Sequence, residues 1–413
     1  MKNSKTNNYK KITTEMKFLD TDKKNNVLQS MIDIIDAKRD EILAENKKDL
    51  DAFERDDQAL YDRLVVDQDK IDGMITAIRQ VKGQEDPVGK KISELKLENG
   101  LEIINKTDPF GTIMIIYESR PDVTIEAAVL AFKANNKILL KGGREASNSN
   151  KVLVKCWHEA LAANDLDKDW IKMLEMNRDE TQEFLRNPTE KLDLIVPRGG
   201  ERLIEFVKQH AKCAVLISGR GNNFMYISPK ADWAKTIKVM LNAKTDKTSA
   251  CNALDNILID SNIDAYADKL KDLDAVLSKA GVEIIVDKKT KSVLSERELM
   301  ENEAVWKEEF LAMKILIGTV DSQEEAIDKI NENSGKHSSI IMTEDKDEAL
   351  TFMEQIDSAA VYQNASTRFT DGGAMGVGAE LAISTDKLHH RGPLGLKQLT
   401  TNKYYVFGDG QVR

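Results

Sequence analysis

The sequence predicts an α/β protein with two lobes, each built on a sheet rich in parallel strands. Three observations support this prediction. The 413 residues exceed the size at which a single hydrophobic core usually stops growing. Short apolar runs typical of buried strands alternate with helical patterns along most of the chain. Hydrophobic residues make up 41% and charged residues 31%, which is ordinary for a globular protein and too apolar for a disordered one.

The first lobe begins with a helical region. Residues 14–80 are predicted to be helical, because Val27, Met31 and Ile35 recur at helical spacing and form a face that needs a partner surface. Residues 97–121 then form extended strands, which stop at a proline. Further predicted elements of this lobe are a short buried strand at "KILLKGG", strands at "LDLIVPRGG" and "CAVLIS", and helices at "TIEAAVLAFKANN", residues 148–163 and "ERLIEFVKQHA".

A second set of alternating elements follows from near residue 245. Its strands are predicted at "LDNILID", "VEIIVD", "MKILIGTV" and "SSIIMTE", and its helices at residues 262–280, 322–333 and 346–356. Regular alternation of this kind favours a parallel sheet with helices on its faces. The sequence therefore predicts domains over residues 1–244 and 245–361, followed by a glycine-rich C-terminal segment over residues 362–413.

The charge pattern and the apolar runs exclude several classes of protein. The chain has 60 basic and 70 acidic residues, a formal charge of −10, and no basic stripe interleaved with aromatic residues, so nucleic acid is excluded as a partner. No apolar run approaches the roughly 20 residues that span a membrane. The start of the chain lacks the apolar region and cleavage site of a signal peptide. We therefore expect a cytoplasmic protein.

The three cysteines are candidates for chemistry rather than for structure. Cys156, Cys213 and Cys251 are odd in number and widely spaced, which argues against a disulfide framework. No C-x-x-C or H-E-x-x-H spacing occurs, so no metal site is predicted. Cys251 stands in "AKTDKTSACNALD", where two lysines supply positive charge and small neighbours leave room for a substrate carbonyl. The alternative is an inert buried thiol, which the surroundings of the other two cysteines favour.

Two glycine turns at strand ends are candidates for phosphate binding. In "VPRGGERLIEF", Gly199 and Gly200 stand between a strand and a helix, where bare backbone and helix N-terminal amides can hold a phosphate. In "KILLKGGREAS", Lys141 and Arg144 flank two glycines and suit a ribose phosphate. The alternatives are a plain strand-to-helix turn and a solvated basic turn.

Two further segments could hold an anionic small molecule. Arg120 ends an apolar strand immediately before a proline, where its guanidinium could bind a carboxylate or phosphate. It could equally cap a helix or pair with Asp122. The segment "NASTRFTDGGAMGVGAE" is polar and rich in glycine, so it could wrap an anion, although a glycine-rich turn needs no ligand.

Taken together and in this order, the segments resemble the gamma-glutamyl phosphate reductase family of the aldehyde dehydrogenase superfamily. The resemblance runs over nearly the whole chain, and "NASTRFTDGG" followed by "STDKLHHRGP" is its most specific part. It implies an aldehyde dehydrogenase-like fold of two α/β lobes with a small oligomerisation element. The first domain would bind the cofactor and the second would carry the nucleophile. The C-terminal segment would return to the first domain and supply an oligomerisation strand.

The resemblance also implies a reaction. Cys251 would attack the acyl phosphate of L-glutamyl 5-phosphate, releasing phosphate, and NADPH would deliver hydride to the resulting thioester, giving L-glutamate 5-semialdehyde for L-proline biosynthesis. Backbone N–H groups at Cys251 and Asn252 could hold the oxyanion. Oxidising members of the superfamily carry a water-activating glutamate in a segment that corresponds to "ISGRGNNFMYI". No glutamate is present in it, which favours the reductive reaction.

Specific residues are implied by the same resemblance. The NADP(H) contacts would be Lys141 and Arg144 at the adenosine ribose, Gly199 and Gly200 at the pyrophosphate, and Glu308 and Phe310 of "EEFLAMKI" at the nicotinamide ribose and ring. The substrate contacts would be Asn252, Arg120 at the phosphate or carboxylate, and Ser366, Arg368 and Thr370 at the α-carboxylate.

The sequence also departs from the family pattern at three positions. Lys247 and Thr248 stand where arginine and proline are usual, and Phe224 stands where a histidine is frequent. These changes leave the nucleophile in place but alter the expected phosphate contacts. Two other hypotheses therefore remain: another NAD(P)-dependent acyl-phosphate or aldehyde oxidoreductase of the same fold, and a catalytically silent binding subunit.

The resemblance implies two protein partners. The superfamily forms dimers and tetramers, so we expect a homo-oligomer in which "YYVFGDG" is an interface element. No amino-acid kinase region stands upstream in this sequence. We therefore expect a separate glutamate 5-kinase, with which the chain would make transient contact.

Overall fold

Helices and strands alternate along most of the chain in the computed structural model, which describes residues 19–54, 58–199 and 201–413. The helices are α1 (Thr21–Ala37), α2 (Arg39–Asp51), α3 (Gln58–Leu64), α4 (Gln68–Gly83), α5 (Pro121–Lys133), α6 (Ser147–Ala162), α7 (Arg178–Arg186), α8 (Glu201–His210), α9 (Trp233–Thr245), α10 (Tyr266–Lys279), α11 (Lys288–Lys291), α12 (Gln323–Asn333) and α13 (Lys346–Gln355). The strands are β1 (Lys91–Lys96), β2 (Glu102–Pro109), β3 (Thr112–Tyr117), β4 (Lys137–Lys141), β5 (Ile171–Met173), β6 (Leu194–Arg198), β7 (Ala214–Val215), β8 (Asn223–Ile227), β9 (Leu254–Asp260), β10 (Glu283–Val286), β11 (Glu298–Leu299), β12 (Lys314–Val320), β13 (Ser338–Met342), β14 (Ala360–Gln363), β15 (Ile383–Ser384), β16 (Gly392–Pro393) and β17 (Thr400–Phe407).

Packing divides the chain into two units. The first unit contains the described residues up to Ile217, together with Gly376–Ala382 and Leu394–Arg413. The second unit contains Ser218–Met375 and Ile383–Pro393. Each unit has its own hydrophobic core, as the length of the chain predicts.

A five-stranded parallel sheet forms the centre of the first unit. Its strand order is β5-β4-β3-β6-β7, and the central strand β3 is buried along its whole length. Helices α5 and α6 contribute to its largest core cluster, in which the ring of Phe132 lies 5.8 Å from that of Trp157 and 5.3 Å from that of Trp170. The apolar face of the N-terminal helices packs into the same cluster, through residues such as Val27 and Met31. The helical spacing of these residues therefore predicts their burial correctly.

Asp49 of α2 joins this helix to the start of α6. Its carboxylate accepts hydrogen bonds from the backbone N–H groups of Asn148 and Ser149 at 3.0 and 2.8 Å. It also accepts from Asn148 Nδ2 at 2.9 Å and from Ser149 Oγ at 2.6 Å. An acceptor from a neighbouring helix thus satisfies donors that the first turn of a helix leaves unpaired.

Asp49→Ala is expected to lower the free energy of unfolding by about 2–3 kcal/mol, because the substitution leaves the buried donors of Ser149 unpaired. Denaturant unfolding followed by circular dichroism measures the change. Asp51→Ala is the control, since Asp51 pairs with Lys47 on the exposed surface and its loss is expected to cost less than about 0.5 kcal/mol. Equal losses in the two variants would contradict this role for Asp49.

A separate three-stranded antiparallel sheet belongs to the first unit. Its order is β1-β2-β17, so the C-terminal strand pairs along its whole length with β2, from Thr400 opposite Pro109 to Phe407 opposite Glu102. Strand β1 is exposed at every residue. Strand β17 is exposed from Thr401 onwards. Both edge strands of this sheet are therefore exposed to solvent, although they contain apolar residues.

A seven-stranded sheet forms the centre of the second unit. Its order is β11-β10-β12-β9-β8-β13-β14, and every paired neighbour is parallel. Strands β8, β9 and β13 are buried throughout. Helices cover both faces, on which two distinct apolar clusters are formed. The predicted fold, with parallel-rich sheets in two α/β lobes and a small antiparallel element, is confirmed.

The packing boundary differs in place from the sequence-based one. The sequence predicts a boundary at residue 244, whereas the division of the structure falls between Ile217 and Ser218. Strand β8 pairs with β9 and β13 of the second unit, and helix α9 packs against β9. Such pairing between distant segments leaves no signal in composition, so the sequence does not reveal it. Among the described residues, no helix combines the length and apolar character that crossing a membrane requires.

Candidate active site

Cys251 lies on a tight loop between helix α9 and strand β9. The helix ends at Thr245 and the strand begins at Leu254. Two backbone turns shape the loop, in which Ala250 N–H donates to the carbonyl of Lys247 at 3.2 Å and Ala253 N–H donates to that of Ala250 at 2.9 Å. Cys251 is partly exposed. The loop thus holds a thiol near the surface at the start of a central strand of the sheet.

The other two cysteines differ from Cys251. Cys156 is buried on α6, and burial raises the pKa of its thiol to about 12. Burial also raises the pKa of the Cys213 thiol to about 11. A thiol must ionise to act as a nucleophile, so neither residue is suited to that role near neutral pH. The inert interpretation of these two cysteines agrees with their surroundings.

The backbone of Cys251 is in close contact with residues 221–223. A Cβ atom on Gly221 would stand 2.0 Å from the carbonyl oxygen of Cys251 and 2.6 Å from its Cα, so only glycine allows this approach. The side chain of Asn223 donates to the carbonyl of Cys251 at 2.8 Å and to that of Ala253 at 2.6 Å. Its Oδ1 accepts from the N–H of Ser338 on β13 at 3.0 Å. Strands β8 and β13 therefore fix the position of the loop.

The predicted substrate segment meets the nucleophile loop within the second unit. Asn252 Nδ2 donates to the carbonyls of Thr370 at 3.0 Å and Arg368 at 3.3 Å. Thr367 Oγ1 donates in return to the carbonyl of Asn252 at 2.6 Å. Arg368 also donates to Asn252 Oδ1 through its guanidinium. Four predicted site residues, Cys251, Asn252, Arg368 and Thr370, are thus brought together.

The guanidinium of Arg368 already has a charged partner. Its Nε lies 2.9 Å from a carboxylate oxygen of Asp246, at the start of the nucleophile loop. Ser366 is buried and caps the short turn that carries Arg368, by accepting from the N–H of that residue at 3.2 Å. Asp246 and Asn252 therefore orient the guanidinium of Arg368.

A buried chain of hydroxyl groups stands behind this segment. Thr370 Oγ1 lies 2.7 Å from Ser338 Oγ and 2.8 Å from the hydroxyl of Tyr362. Ser338 Oγ in turn lies 2.8 Å from Nδ1 of His337, which is fully buried, and burial lowers the pKa of this histidine to about 4. Thr370 is therefore part of a polar network inside the unit, and its hydroxyl has two protein partners.

The predicted adenosine and pyrophosphate contacts lie in the first unit. Lys141 ends strand β4, its ammonium donates to the carbonyl of Gly142 at 2.8 Å, and burial lowers its pKa. Arg144 begins the short turn that follows and is exposed. Gly199 follows strand β6, and a Cβ there would stand 2.8 Å from the side chain of Leu203. Gly200 lies outside the described residues.

Glu308 and Phe310 lie in the second unit. Glu308 follows a short 3-10 turn over Glu303–Lys307, and Phe310 packs partly against the apolar cluster that contains Trp306. The ammonium of Lys314 stands 5.8 Å from the centre of the Phe310 ring. Packing of the Phe310 ring therefore holds residues 308–310 against the unit.

Arg120 belongs to the first unit and is paired with Asp122. Its Nη2 lies 3.0 Å from Asp122 Oδ2. Although burial alone would raise it, the pKa of Asp122 is lowered by the neighbouring guanidinium. This is the pairing that the sequence offers as the alternative to ligand binding. The ligand-binding role of Arg120 stays a prediction, as do the roles of the other predicted contacts.

Sequence reasoning missed the residues that support the nucleophile. Gly221 and Asn223 stand in the segment "ISGRGNNFMYI", which the sequence singles out only for its lack of glutamate. A glycine between two polar residues just before a buried strand is a signal of close backbone approach. The signal does not identify the segment that approaches, because Cys251 is 28 residues away from Asn223 along the chain.

Comparisons with known proteins show the family to which the chain belongs. The sequence pattern of the "Aldehyde dehydrogenase family" matches residues 6–292 and 293–380. Gamma-glutamyl phosphate reductase of Aquifex aeolicus is 39% identical over 418 residues, which cover 99% of this chain and 96% of that protein. The crystal structure of gamma-glutamyl phosphate reductase from Thermotoga maritima superposes with a TM-score of 0.93 at 40% identity and covers 98% of each chain.

A more distant structure shares the fold alone. An engineered glycolyl-CoA reductase with bound NADP+ has a TM-score of 0.66 at 16% identity and covers 96% of this chain and 94% of its own. The two gamma-glutamyl phosphate reductases, by contrast, match over nearly the whole length of both chains, with 39% and 40% sequence identity. The resemblance that the motifs indicate is therefore confirmed: the chain belongs to the aldehyde dehydrogenase family and, within it, to the gamma-glutamyl phosphate reductases.

Proposed function

We propose that this chain reduces L-glutamyl 5-phosphate to L-glutamate 5-semialdehyde and phosphate with NADPH, as a step in L-proline biosynthesis. Membership of the gamma-glutamyl phosphate reductases supports this reaction. The observation that carries it in the structure is the loop of Cys251, a partly exposed thiol held against Gly221 and joined through Asn252 to the segment of Arg368 and Thr370.

The thiol supplies the covalent step. The Cys251 thiolate adds to the γ-carbonyl of the acyl phosphate, the carbon–oxygen bond to phosphate breaks, and an acyl thioester remains on the protein. The tetrahedral oxyanion formed on the way needs donors that are fixed in advance, and the backbone N–H groups of Cys251 and Asn252 are the candidates. The contacts of Asn223 and Gly221 with the same backbone keep such donors from moving.

The residues around Arg368 supply the substrate's anchor. L-Glutamyl 5-phosphate carries an α-carboxylate at the end remote from the acyl phosphate, and a guanidinium binds such a group through paired hydrogen bonds. Arg368 forms an ion pair with Asp246, so its positive charge is neutralised within the protein before a substrate binds. We assign Ser366 and Thr370 to holding the turn that presents Arg368, because the hydroxyls of both residues have protein partners.

Residues of the first unit suit a phosphorylated dinucleotide. Strands β4 and β6 flank β3 in parallel, so Lys141 and Gly199 lie at the same edge of the sheet. Gly199 itself carries no side chain, and a Cβ atom there would stand 2.8 Å from the side chain of Leu203 and 3.0 Å from that of Glu118. The N-terminal amides of α8, which begins at Glu201, suit a phosphate. Lys141 and Arg144 would meet the charge on the adenosine ribose. The cofactor supplies the hydride that converts the thioester carbon to the aldehyde, which releases the thiolate of Cys251.

The absence of an activating carboxylate supports the reductive direction. Hydrolysis of the thioester would need a general base for water, and residues 217–227 contain neither glutamate nor aspartate. Arsenate or phosphate can attack the thioester in the reverse reaction without such a base. The enzyme can therefore be assayed in reverse, where the semialdehyde, which interconverts with its cyclic imine, replaces the acyl phosphate as the substrate.

The reverse reaction tests the proposal. NADP+ reduction is followed at 340 nm with L-glutamate 5-semialdehyde and phosphate, and in parallel with NAD+ and with acetaldehyde or propionaldehyde. We expect turnover that depends on phosphate and that is fastest with the semialdehyde. Faster turnover of simple aldehydes would favour another oxidoreductase of the same fold. A well-folded protein without turnover of any of these aldehydes would favour a silent binding subunit.

The antiparallel sheet is proposed as the contact between copies of the chain. On one face of the sheet, strand β17 exposes Tyr404 and Val406 by 62 and 56%, and β1 exposes Leu95 by 56%. Exposed apolar residues on unpaired strand edges are liable to aggregate unless a partner covers them. We infer a homo-oligomer in which a second copy covers this sheet.

Tyr404→Asp combined with Val406→Asp is expected to convert a dimer or tetramer into monomers, because both residues lie on one face of β17 and the charges would be buried in the contact. Light scattering after size exclusion measures the mass. Thr401→Asp, which adds a charge to the opposite face of the same strand, is the control and should keep the wild-type mass. A monomeric wild type, or a double variant that keeps the larger mass, would contradict the inference.

A further inference from the structure

A buried ion pair closes the ends of the nucleophile loop. Lys244 lies in the last turn of α9 and Asp255 is the second residue of β9, so the two residues stand just before and just after the loop that carries Cys251. Lys244 Nζ lies 2.9 Å from Asp255 Oδ1. The side chains of Lys244 and Asp255 are 0% and 3% exposed. Among the described residues, this ammonium donates a hydrogen bond to Asp255 alone.

The second oxygen of the same carboxylate holds another segment. The backbone N–H of Phe310 donates to Asp255 Oδ2 at 3.3 Å. Phe310 follows Glu308 by two residues, in the segment that the family resemblance places against the nicotinamide ribose and ring. A single buried carboxylate therefore connects the loop of the nucleophile with the segment assigned to the cofactor.

Burial works against both charges. It raises the pKa of Asp255 to about 6 and lowers the pKa of Lys244. An ion pair in such a place is a poor source of stability, because desolvation offsets most of the attraction between the charges. Apolar residues of similar size could fill the same space at little cost. The pair is thus better explained by what it orients than by what it stabilises.

We propose that Lys244 and Asp255 are positioning residues, which hold the Cys251 loop and the 308–310 segment in one fixed arrangement for hydride transfer. This inference rests on the proposed function. The two oxygens of Asp255 have different tasks: Oδ1 fixes the loop through Lys244, and Oδ2 fixes the cofactor segment through Phe310. An asparagine at this position has one acceptor oxygen and can perform only one of them.

Two double variants separate these tasks. Lys244→Met with Asp255→Asn removes the charge and keeps an acceptor for the N–H of Phe310. Lys244→Met with Asp255→Leu removes the charge and both acceptors. Since neither variant leaves a single buried charge, each is expected to melt within about 5 °C of the wild type. If the leucine variant does not fold, the asparagine variant carries the test.

The two variants are expected to differ in their kinetics. Both should lose kcat by about 100-fold, because a displaced nucleophile no longer meets the carbonyl at reacting distance. The leucine variant should also raise the KM for NADP+ by about ten-fold, whereas the asparagine variant should keep it within about two-fold. The matched control replaces the ion pair of Arg297 and Asp274, which lies elsewhere in the same unit, through Arg297→Met with Asp274→Asn. It should leave kcat unchanged.

Hydrogen exchange provides a readout that needs no substrate. We expect the amides of residues 246–253 to exchange at least about ten-fold faster in both double variants, and those of strand β12 to exchange as in the wild type. Unchanged exchange together with wild-type kcat in both variants would show that the pair only fills space, and would overturn the proposal. If the wild type does not turn over the semialdehyde, the proposed function fails, while exchange still decides whether the pair holds the loop.

Discussion

Cys251→Ala is expected to lower kcat/KM for L-glutamate 5-semialdehyde by about 10,000-fold or more, since removing a covalent nucleophile removes the only route through a thioester. Binding of NADPH is expected to stay within about two-fold of the wild type, because the residues assigned to the dinucleotide are untouched. Turnover is measured at 340 nm, and binding by the fluorescence of the reduced cofactor.

The other two cysteines provide the controls for this variant. Cys156→Ala and Cys213→Ala are expected to keep kcat, because burial raises the pKa of both thiols well above neutrality. Alkylation by iodoacetamide should label Cys251 first and abolish turnover with one label per chain. Full activity in Cys251→Ala would refute the assignment of the nucleophile, whatever the other variants do. Loss of activity in Cys156→Ala alone would point to a second thiol.

The sequence predicts the architecture well because local patterns carry it. Apolar runs such as "KILLK" and "LDNILID" are buried strands in the structure, and each is followed by the helix that its neighbouring pattern predicts. The position of Cys251 between a helix and a strand is visible in the same way. These features depend on residues close together in the chain, so a single sequence is enough to predict them.

The hydrogen bonds that hold the loop of Cys251 cannot be predicted from local patterns. Asn223 reaches the carbonyl of Cys251 over 28 residues, and Asn252 reaches that of Thr370 over 118. Pairs so far apart leave no periodic signal in one sequence. Arg368 is a related case, since the sequence predicts that it binds an anion and the structure shows that Asp246 and Asn252 already hold it. Tertiary contacts decide which donors of a predicted site are satisfied within the protein.

The same limit applies to the boundary between the two units. The second set of alternating strands and helices is predicted to begin near residue 245, so the sequence favours a boundary at the nucleophile segment. The structure places strand β8 between β9 and β13, and this placement brings Gly221 and Asn223 beneath the loop of Cys251. The segment that the two divisions assign differently is therefore the one that contains the missed residues. Strand β8 pairs with partners that are distant in sequence, and a single sequence gives no signal of such pairing.

Gly221→Ala is expected to reduce kcat by about 100-fold while the protein still folds. The new methyl group would stand 2.0 Å from the carbonyl oxygen of Cys251 and 2.6 Å from its carbonyl carbon and Cα, so one of two backbone segments must move. Strand β8 begins two residues later and is buried at every position, so the loop of Cys251 gives way more easily. A displacement of roughly 1 Å at the nucleophile is enough for a loss of this size.

The expected loss of stability is smaller than the loss of activity, because overpacking at one site costs about 1–3 kcal/mol. Gly73→Ala is the matched control: it also adds one methyl group, but on the exposed surface of α4 with no atom within 4 Å, where alanine favours the helix. That variant should keep kcat and melt slightly higher. Thermal unfolding, kcat and the rate of Cys251 alkylation are measured on both. If Gly221→Ala folds and turns over like the wild type, then close backbone contact at Gly221 does not position the thiol.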